Sequence, residues 1–179
     1  MLNRKINLII PFENMTKAEV ASVCPEKEYL KHTHSCVSQR FGVHDGTCFG
    51  CIIRRLGLAT AGIEDVNYSR NPLVDSSANA DGLLSLLRFC YDVLFDYEKL
   101  PSFSKENIEN YGKYDLFRRF SLDNFSALLL HKEKTGKQNS LIKNIYDDGL
   151  KIIGKDELIK RAQTVRKNKI KPNFKRYVK

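Results

Sequence analysis

Three cysteines in the first third of the chain have the spacing of a metal site. Cys48 and Cys51 form a Cys-x-x-Cys pair, and the turn between them can point both thiolates at one tetrahedral ion. Cys36 supplies a third thiolate from the same polar segment, and His44 or Asp45 is placed to complete four-coordination. Three sulfur ligands with one nitrogen or oxygen ligand suit zinc. The sequence therefore predicts one structural zinc ion, with the fourth ligand open between His44 and Asp45.

The segment from Lys31 to Thr47 favours a metal over the other interpretations of these cysteines. It has no useful periodicity, and loops of that length are uncommon in compact domains unless something organises them. A closed metal site does so and can contribute on the order of 10 kcal/mol to folding. A redox pair would need a preceding strand, and here a polar turn precedes Cys48. A disordered loop with ordinary thiols is the other alternative, and His32 and His34 are further ligand candidates.

Hydrophobic patterning predicts the elements that position this segment. The apolar run from Ile6 to Ile10, closed by Pro11, is typical of a strand buried in a parallel sheet. Thr16 and Glu19 form a capping-box pattern that starts a short helix ending near Val23. Another helix follows Cys51 and ends at Gly62, and further helices are expected at about 78–100, 104–111, 123–132, 140–153 and 155–167.

These patterns predict a mainly α fold with a short N-terminal β-strand left from an α/β sheet, a zinc-organised loop and a helical C-terminal half. We expect three parts: residues 1–70 with the zinc loop, a helical domain at 71–159 and a basic tail at 160–179. The tail carries nine Lys or Arg residues and no Asp or Glu, so the net charge of +9 belongs to it and the body is neutral.

The tail has the composition of a nucleic-acid contact. Phe174 and Tyr177 are interleaved with Lys171, Lys175 and Arg176, which combines phosphate-binding charge with rings that can stack on bases. A solvated, mobile chain end is the alternative.

The zinc region also resembles a known family. Thr33-His34-Ser35-Cys36, followed by Gly46, Cys48, Cys51 and Arg54, is similar to the zinc region of the 7-cyano-7-deazaguanine synthases, which make the precursor of queuosine and archaeosine. That family has Thr-x-Ser-Cys and then Cys-Gly-x-Cys-x-x-Cys-x-x-Arg. Here Asp45 stands in place of the first cysteine of the second element. Ile9-Ile10-Pro11-Phe12 with Thr16-Lys17-Ala18-Glu19, and Ala61-Gly62-Ile63-Glu64-Asp65 with Tyr68, extend the resemblance over about residues 5–70.

The resemblance implies an ATP-dependent ligase that converts a carboxylated deazaguanine to a nitrile with ammonia. It also implies weak substrate or phosphate contacts at Lys17, Arg54 and Arg55, each of which has a plain structural alternative. The family's phosphate loop, Ser-Gly-Gly-x-Asp-Ser, does not occur in this sequence. We therefore expect no catalysis by this chain alone, and ATP only through the domain of a partner. The expected partner is a separate ATP-binding chain or, as the alternative, further copies of this chain in a homo-oligomer.

Another class of function stays open beside the enzyme. A non-enzymatic, zinc-stabilised interaction module would use the helical half and the basic tail to bind nucleic acid or a partner protein. Relatives of the resembled family occur in bacterial antiphage operons with extra helical segments, which fits that alternative. The apolar run near the N-terminus is too short for a signal peptide, and no stretch approaches the roughly 18 apolar residues of a membrane span. We therefore expect a cytoplasmic protein without a membrane partner.

Overall fold

Helices make up most of the chain. The computed structural model describes residues 12–37, 43–65, 68–75, 80–110 and 112–167. Within these ranges the α-helices are α1 (Lys17–Val23), α2 (Phe49–Thr60), α3 (Asp81–Phe95), α4 (Ser102–Asn110), α5 (Tyr114–Thr135), α6 (Lys143–Ile153) and α7 (Lys155–Lys167). Short 3₁₀ turns lie at Lys27–His32, Tyr97–Lys99 and Ser140–Ile142. The mainly α class is confirmed. The described ranges contain no strand, only a parallel bridge between His44 and Tyr68, and the strand predicted at Ile6–Ile10 lies outside them.

The local signals in the sequence placed most helix ends well. Thr16 and Glu19 form the predicted capping box, in which each side chain accepts the other residue's backbone N–H at 3.2 and 2.9 Å. Gly62 has a φ of 75° just after α2, as expected of a residue that ends a helix. Two boundaries differ. The helix expected to reach residue 100 ends at Phe95, because Asp96 has a φ of −147°. α5 begins at Tyr114, nine residues before the predicted start, because its polar first half hid the helical period.

α5 is the central helix, and α2, α3 and α7 pack around it. Every residue from Ser121 to Leu129 is buried, which is typical of a helix surrounded on all sides. Two of its buried polar groups bond to neighbouring helices: the Ser126 hydroxyl donates to the carbonyl of Leu158 at 2.9 Å, and Thr60 donates to the carbonyl of Asp123 at 2.7 Å. These bonds fix α2 and α7 against α5.

The apolar core joins segments from both sides of residue 70. Its largest cluster includes Ile52 and Leu56 of α2 together with Leu87 of α3 and Phe125 of α5. Near the other predicted boundary, α7 runs through residue 160 to Lys167, so the first eight residues of the basic tail are helical. Cys90, a free cysteine, is fully buried in this cluster.

A buried network of charges joins α1, α5 and α7. Arg161 on α7 forms ion pairs with Glu19 at 2.8 Å and with Asp123 at 2.7 Å, and Arg119 on α5 pairs with the other oxygen of Glu19. The Thr16 hydroxyl donates to Asp123 at 2.5 Å. The two carboxylate side chains are 6% and 4% exposed, so each depends on these partners for its charge to be tolerated.

None of the helices in the described part of the chain is long and apolar enough to cross a membrane.

Candidate metal centre

The predicted ligands come from two segments that meet at the N-terminus of α2. Cys36 lies in the extended stretch after the 3₁₀ turn Lys27–His32, and His44 begins the second segment. Cys48 is the N-cap residue of α2, and Cys51 lies in its first turn. The positive end of the helix dipole therefore points at the sulfur atoms, which favours thiolates there. α2 is held in place by Ile52 and Leu56, which are each 1% exposed in the core.

The donor atoms have the separations of a tetrahedral site. Sγ of Cys36, Nδ1 of His44 and Sγ of Cys51 lie within 4.8 Å of one another, and all three residues are buried. Sγ of Cys51 is 3.8 Å from Nδ1 of His44, and Sγ of Cys48 is 3.9 Å from Sγ of Cys36. Zinc bond lengths of about 2.3 Å to sulfur and 2.0–2.1 Å to nitrogen imply about 3.8 Å between sulfurs and about 3.6 Å between sulfur and nitrogen. Cys36, His44 and Cys51 therefore form a group that could hold one metal ion, and Cys48 lies beside it, against Cys36.

The structure separates the two candidates for the fourth ligand. The Asp45 carboxylate faces away from this cluster into its own turn, where Oδ2 accepts from the backbone N–H groups of Thr47 at 3.0 Å and Cys48 at 3.1 Å, and from the Thr47 hydroxyl. The hydrogen bonds from Thr47 hold the pKa of Asp45 below its usual range. Asp45 thus shapes the turn that presents Cys48, while His44 faces the sulfurs.

His44 has the environment of an oriented ligand. It is 4% exposed, and its ring stacks on His34 at 4.8 Å between centroids and lies 5.4 Å from the Tyr68 ring. Burial, together with the charge of Arg54, lowers the pKa of His44, so the neutral imidazole that binds metals is favoured. A backbone hydrogen bond with Thr33 also acts on this ring. Such outer contacts fix ring orientation in metal sites. His34, one of the further ligand candidates, is thus placed against the ligand ring.

Backbone hydrogen bonds and burial both act on the sulfur atoms of the cysteines. The N–H of Asp45 donates to Sγ of Cys36 at 3.4 Å, and a backbone hydrogen bond from Gly46 acts on Cys51. Burial raises the pKa of Cys51 to about 12, and the neighbouring Cys48 and Cys36 act in the same direction.

Two glycines let the backbone pack closely at the centre. A Cβ at Gly50, inside the Cys-x-x-Cys pair, would lie 2.1 Å from the carbonyl oxygen of Ser35, which precedes Cys36. A Cβ at Gly46 would lie 2.2 Å from the carbonyl oxygen of Arg70, and Gly46 has a φ of 91°. Any larger residue would push apart the two segments that carry the ligands.

Arg54 is buried, and its guanidinium donates to several neighbouring groups. Its guanidinium pairs with both oxygens of Asp65, at 2.9 and 3.2 Å, and donates to the carbonyls of Thr33, at 2.8 Å, and Leu30. Tyr68 donates its hydroxyl to the same Asp65. With Arg54 only 3% exposed, these contacts fix the start of the ligand segment. Sequence reasoning missed this role because Asp65, eleven residues further along the chain, entered only as part of the family resemblance and gave no sign that it pairs with Arg54.

Arg55 contacts a different set of residues from Arg54. Its guanidinium lies over the Tyr68 ring at 3.8 Å and donates to the Asn71 side chain at 2.6 Å and to the carbonyl of Arg70 at 3.3 Å. It borders a cavity rather than the metal centre. Lys17 is the exposed first residue of α1, with its stem over Gly57 of α2. The predicted nucleic-acid contacts Lys171, Lys175 and Arg176 lie outside the described residues.

No family model, curated protein or solved structure matches this chain. The fold and the site define a protein that is mainly helical in its described part and has a Cys/His group able to hold a metal ion.

Proposed function

We propose that Cys36, His44, Cys48 and Cys51 bind one structural zinc ion. The observation that carries the proposal is the convergence of three buried donors, from Cys36, His44 and Cys51, at the N-terminus of α2, with Sγ of Cys48 3.9 Å from Sγ of Cys36. Four protein ligands leave no open position for a substrate or a reactive water, as in other closed zinc sites. The ion would join the segment around Cys36 to the segment around His44, so its role would be to order them.

Metal analysis tests this proposal. The full chain, purified without chelator, should contain zinc near one equivalent, and Cys51→Ser should lose it. Cys24→Ser is the matched control, because Cys24 is a free and partly buried cysteine whose thiol donates to the carbonyl of Glu26, and it should keep its zinc. Zinc well below one equivalent in the unaltered protein would refute the proposal, and so would equal loss in both variants.

We further propose that this zinc module is part of a 7-cyano-7-deazaguanine synthase-like protein. Residues of the sequence resemblance between Thr33 and Tyr68 lie close together in space, which supports the proposal. Arg54 joins Thr33 to Asp65, Tyr68 joins Asp65 to the ring of His44, and the cysteines lie directly beside them. A chance likeness of short motifs gives no reason for such clustering.

The reaction of that family needs an ATP-binding domain, which a separate chain would supply. Exposed apolar side chains beside the ligands support a partner at this face. Val37, Val43 and Phe49 each follow or precede a ligand residue directly, and they are 83%, 48% and 58% exposed. Apolar groups gathered on a surface mark interaction sites. The zinc ion would then hold this face in the shape that the ATP-binding chain contacts.

Co-expression with an ATP-binding chain that carries Ser-Gly-Gly-x-Asp-Ser, encoded beside this one, tests the assignment. The two chains should co-purify, and together they should convert carboxydeazaguanine to the nitrile with ATP and ammonia, measured by mass spectrometry. Phe49→Glu should abolish co-purification. Ile152→Glu is the matched control, because Ile152 on α6 is also 58% exposed. A complex that forms but yields no nitrile would refute the reaction, and absence of a complex would refute the partner.

A nucleic-acid-binding module is the alternative function, favoured by the concentration of positive charge from residue 160 onwards. The contacts of α7 decide which deletion can test this alternative. Arg161 belongs to the buried ion network, and Arg166 donates to the carbonyls of Thr60 and Ala59 at the end of α2. Deleting residues 160–179 would also remove Val165, which is 1% exposed. Deleting 168–179 is the cleaner variant. Gel-shift binding to RNA or DNA that this deletion removes would support the alternative, and no binding at low salt would refute it.

A further inference from the structure

A cavity of about 550 Å³ lies between the end of α2, the loops that follow it, and the C-terminal ends of α5 and α7. Its volume is within the range of small-molecule sites, roughly 300–1,000 Å³. Ile63, Leu73 and Leu130 provide apolar wall, while Arg55, His131 and Arg166 provide polar groups. A mixed lining of this kind suits a ligand that has both an apolar body and a polar group.

The charges around the cavity leave two guanidinium groups without a carboxylate. Of the two acidic residues that line it, Asp65 is paired with Arg54, and Glu64 is paired with Lys134 at the exposed rim. Within the described part of the chain, neither Arg55 nor Arg166 has a carboxylate oxygen within 4.0 Å, and both donate to neutral oxygens instead. The two hydrogen bonds of each arginine come from two of its nitrogen atoms, whereas a guanidinium has five N–H donors. Donors therefore remain for an anion.

Burial makes the unneutralised charge of Arg55 costly. Its guanidinium lies between the Tyr68 ring and the Asn71 side chain, and burial lowers the pKa of Arg55 despite the field of the surrounding acidic groups. At the cavity wall, Nε2 of His131 is buried and, among the described residues, has no hydrogen-bond partner. Native proteins seldom leave such groups unsatisfied away from ligand sites. A negatively charged ligand in the cavity would offset the charge of Arg55.

We propose that this cavity binds a small molecule through an oxyanion, either phosphate or carboxylate, that contacts Arg55 and Arg166 while the rest of the molecule lies against Leu73 and Leu130. Bidentate binding of phosphate or carboxylate is the characteristic use of arginine. The site is separate from the metal centre, so it goes beyond the zinc module and does not depend on the deazaguanine reaction.

Proton NMR of the zinc-loaded full chain tests the proposal. The ring signals of His131, assigned with His131→Gln, are followed while inorganic phosphate, benzoate or chloride is added at equal ionic strength. Saturable shifts with phosphate identify a phosphate-bearing ligand, and saturable shifts with benzoate identify a carboxylate with an apolar body. If phosphate and benzoate cause no larger shifts than chloride does at the same ionic strength, the proposal is overturned.

Variants decide whether the two arginines bind the anion. Arg55→Gln and Arg166→Gln should each weaken the affinity at least about tenfold, because each removes charge-assisted hydrogen bonds. Arg118→Gln removes an exposed arginine from α5 outside the cavity and should leave the affinity unchanged. Zinc content verifies that Arg55→Gln, on the helix that carries the ligands, is folded, and Arg166→Gln on α7 provides an independent result. Unchanged affinity in a folded Arg55→Gln or in Arg166→Gln would overturn the proposal.

Discussion

Replacing His44 and Asp45 one at a time gives the sharpest test of the metal centre. His44 supplies one of four donors, with Nδ1 3.8 Å from Sγ of Cys51. Structural zinc sites have binding free energies of about 10–16 kcal/mol, so one ligand of four accounts for roughly 2.5–4 kcal/mol. His44→Ala should therefore weaken zinc binding by roughly 10² to 10³-fold.

Asp45→Ala should have a much smaller effect. The carboxylate accepts two backbone N–H groups, from Thr47 and Cys48, and its loss resembles the loss of a helix cap, about 1–2 kcal/mol. Even if this whole free energy were lost from zinc binding, the zinc affinity would fall only about five- to thirtyfold. The backbone N–H of Asp45 that donates to Cys36 is retained in the variant, so the measurement isolates the carboxylate.

Competition with a chromophoric zinc chelator, under reducing conditions and at neutral pH, measures both affinities. His44→Ala should be weaker than Asp45→Ala by at least about a factor of three, the narrowest gap that the two estimates allow. An Asp45→Ala variant that loses zinc as fully as His44→Ala, or more so, would refute the assignment of His44 and restore Asp45 as the fourth ligand.

Three further perturbations test the framework around the site. Arg161→Met should cost roughly 3–5 kcal/mol in urea unfolding, because it leaves Asp123 buried without a cation. Burial raises the pKa of Glu19, but the bonds from its arginine partners outweigh it and hold the value below 4.5. Its ionic stabilisation is therefore fully present above about pH 4.5 and lost as the pH falls through the lower folded-state pKa, so the stability gap between the unaltered protein and Glu19→Gln should shrink in acid. Gly50→Ala should cost about 1–3 kcal/mol and weaken zinc binding, because its Cβ would meet the Ser35 carbonyl.

Each of these expectations has its own control. Adding Asp123→Asn to Arg161→Met should recover part of the lost stability, since it removes the stranded charge; purely additive losses would contradict the network. A gap between Glu19→Gln and the unaltered protein that widens on acidification would reverse the assigned sign. Gly82→Ala, also in a helix, would meet the end of the Ile52 side chain at 3.2 Å and, at an ordinary contact distance of 3.5 Å, the Thr47 carbonyl, and should cost little; an equal loss would show that Gly50 has no special role.

Local features of this protein were determined by its sequence. The capping box of Thr16 and Glu19, the end of α2 near Gly62 and the Cys-x-x-Cys turn all depend on residues three or four positions apart, so the chain encodes them without reference to the rest of the fold. Apolar periodicity likewise predicted the helices of the C-terminal half. The family resemblance stays a proposal, as does the division of the chain into three parts.

Only the tertiary structure decided what those residues do together. His44 and Asp45 are adjacent in sequence, so sequence alone offered no reason to prefer either as the ligand. In the structure the His44 ring packs beside Tyr68 and faces the sulfur atoms, whereas the Asp45 carboxylate bonds to Thr47 and faces away from them. Glu19 is a helix cap in sequence, yet it also receives Arg119 and Arg161, which lie 100 and 142 residues further along the chain. Contacts at such distances leave no local pattern, because they exist only where α1, α5 and α7 are packed against one another.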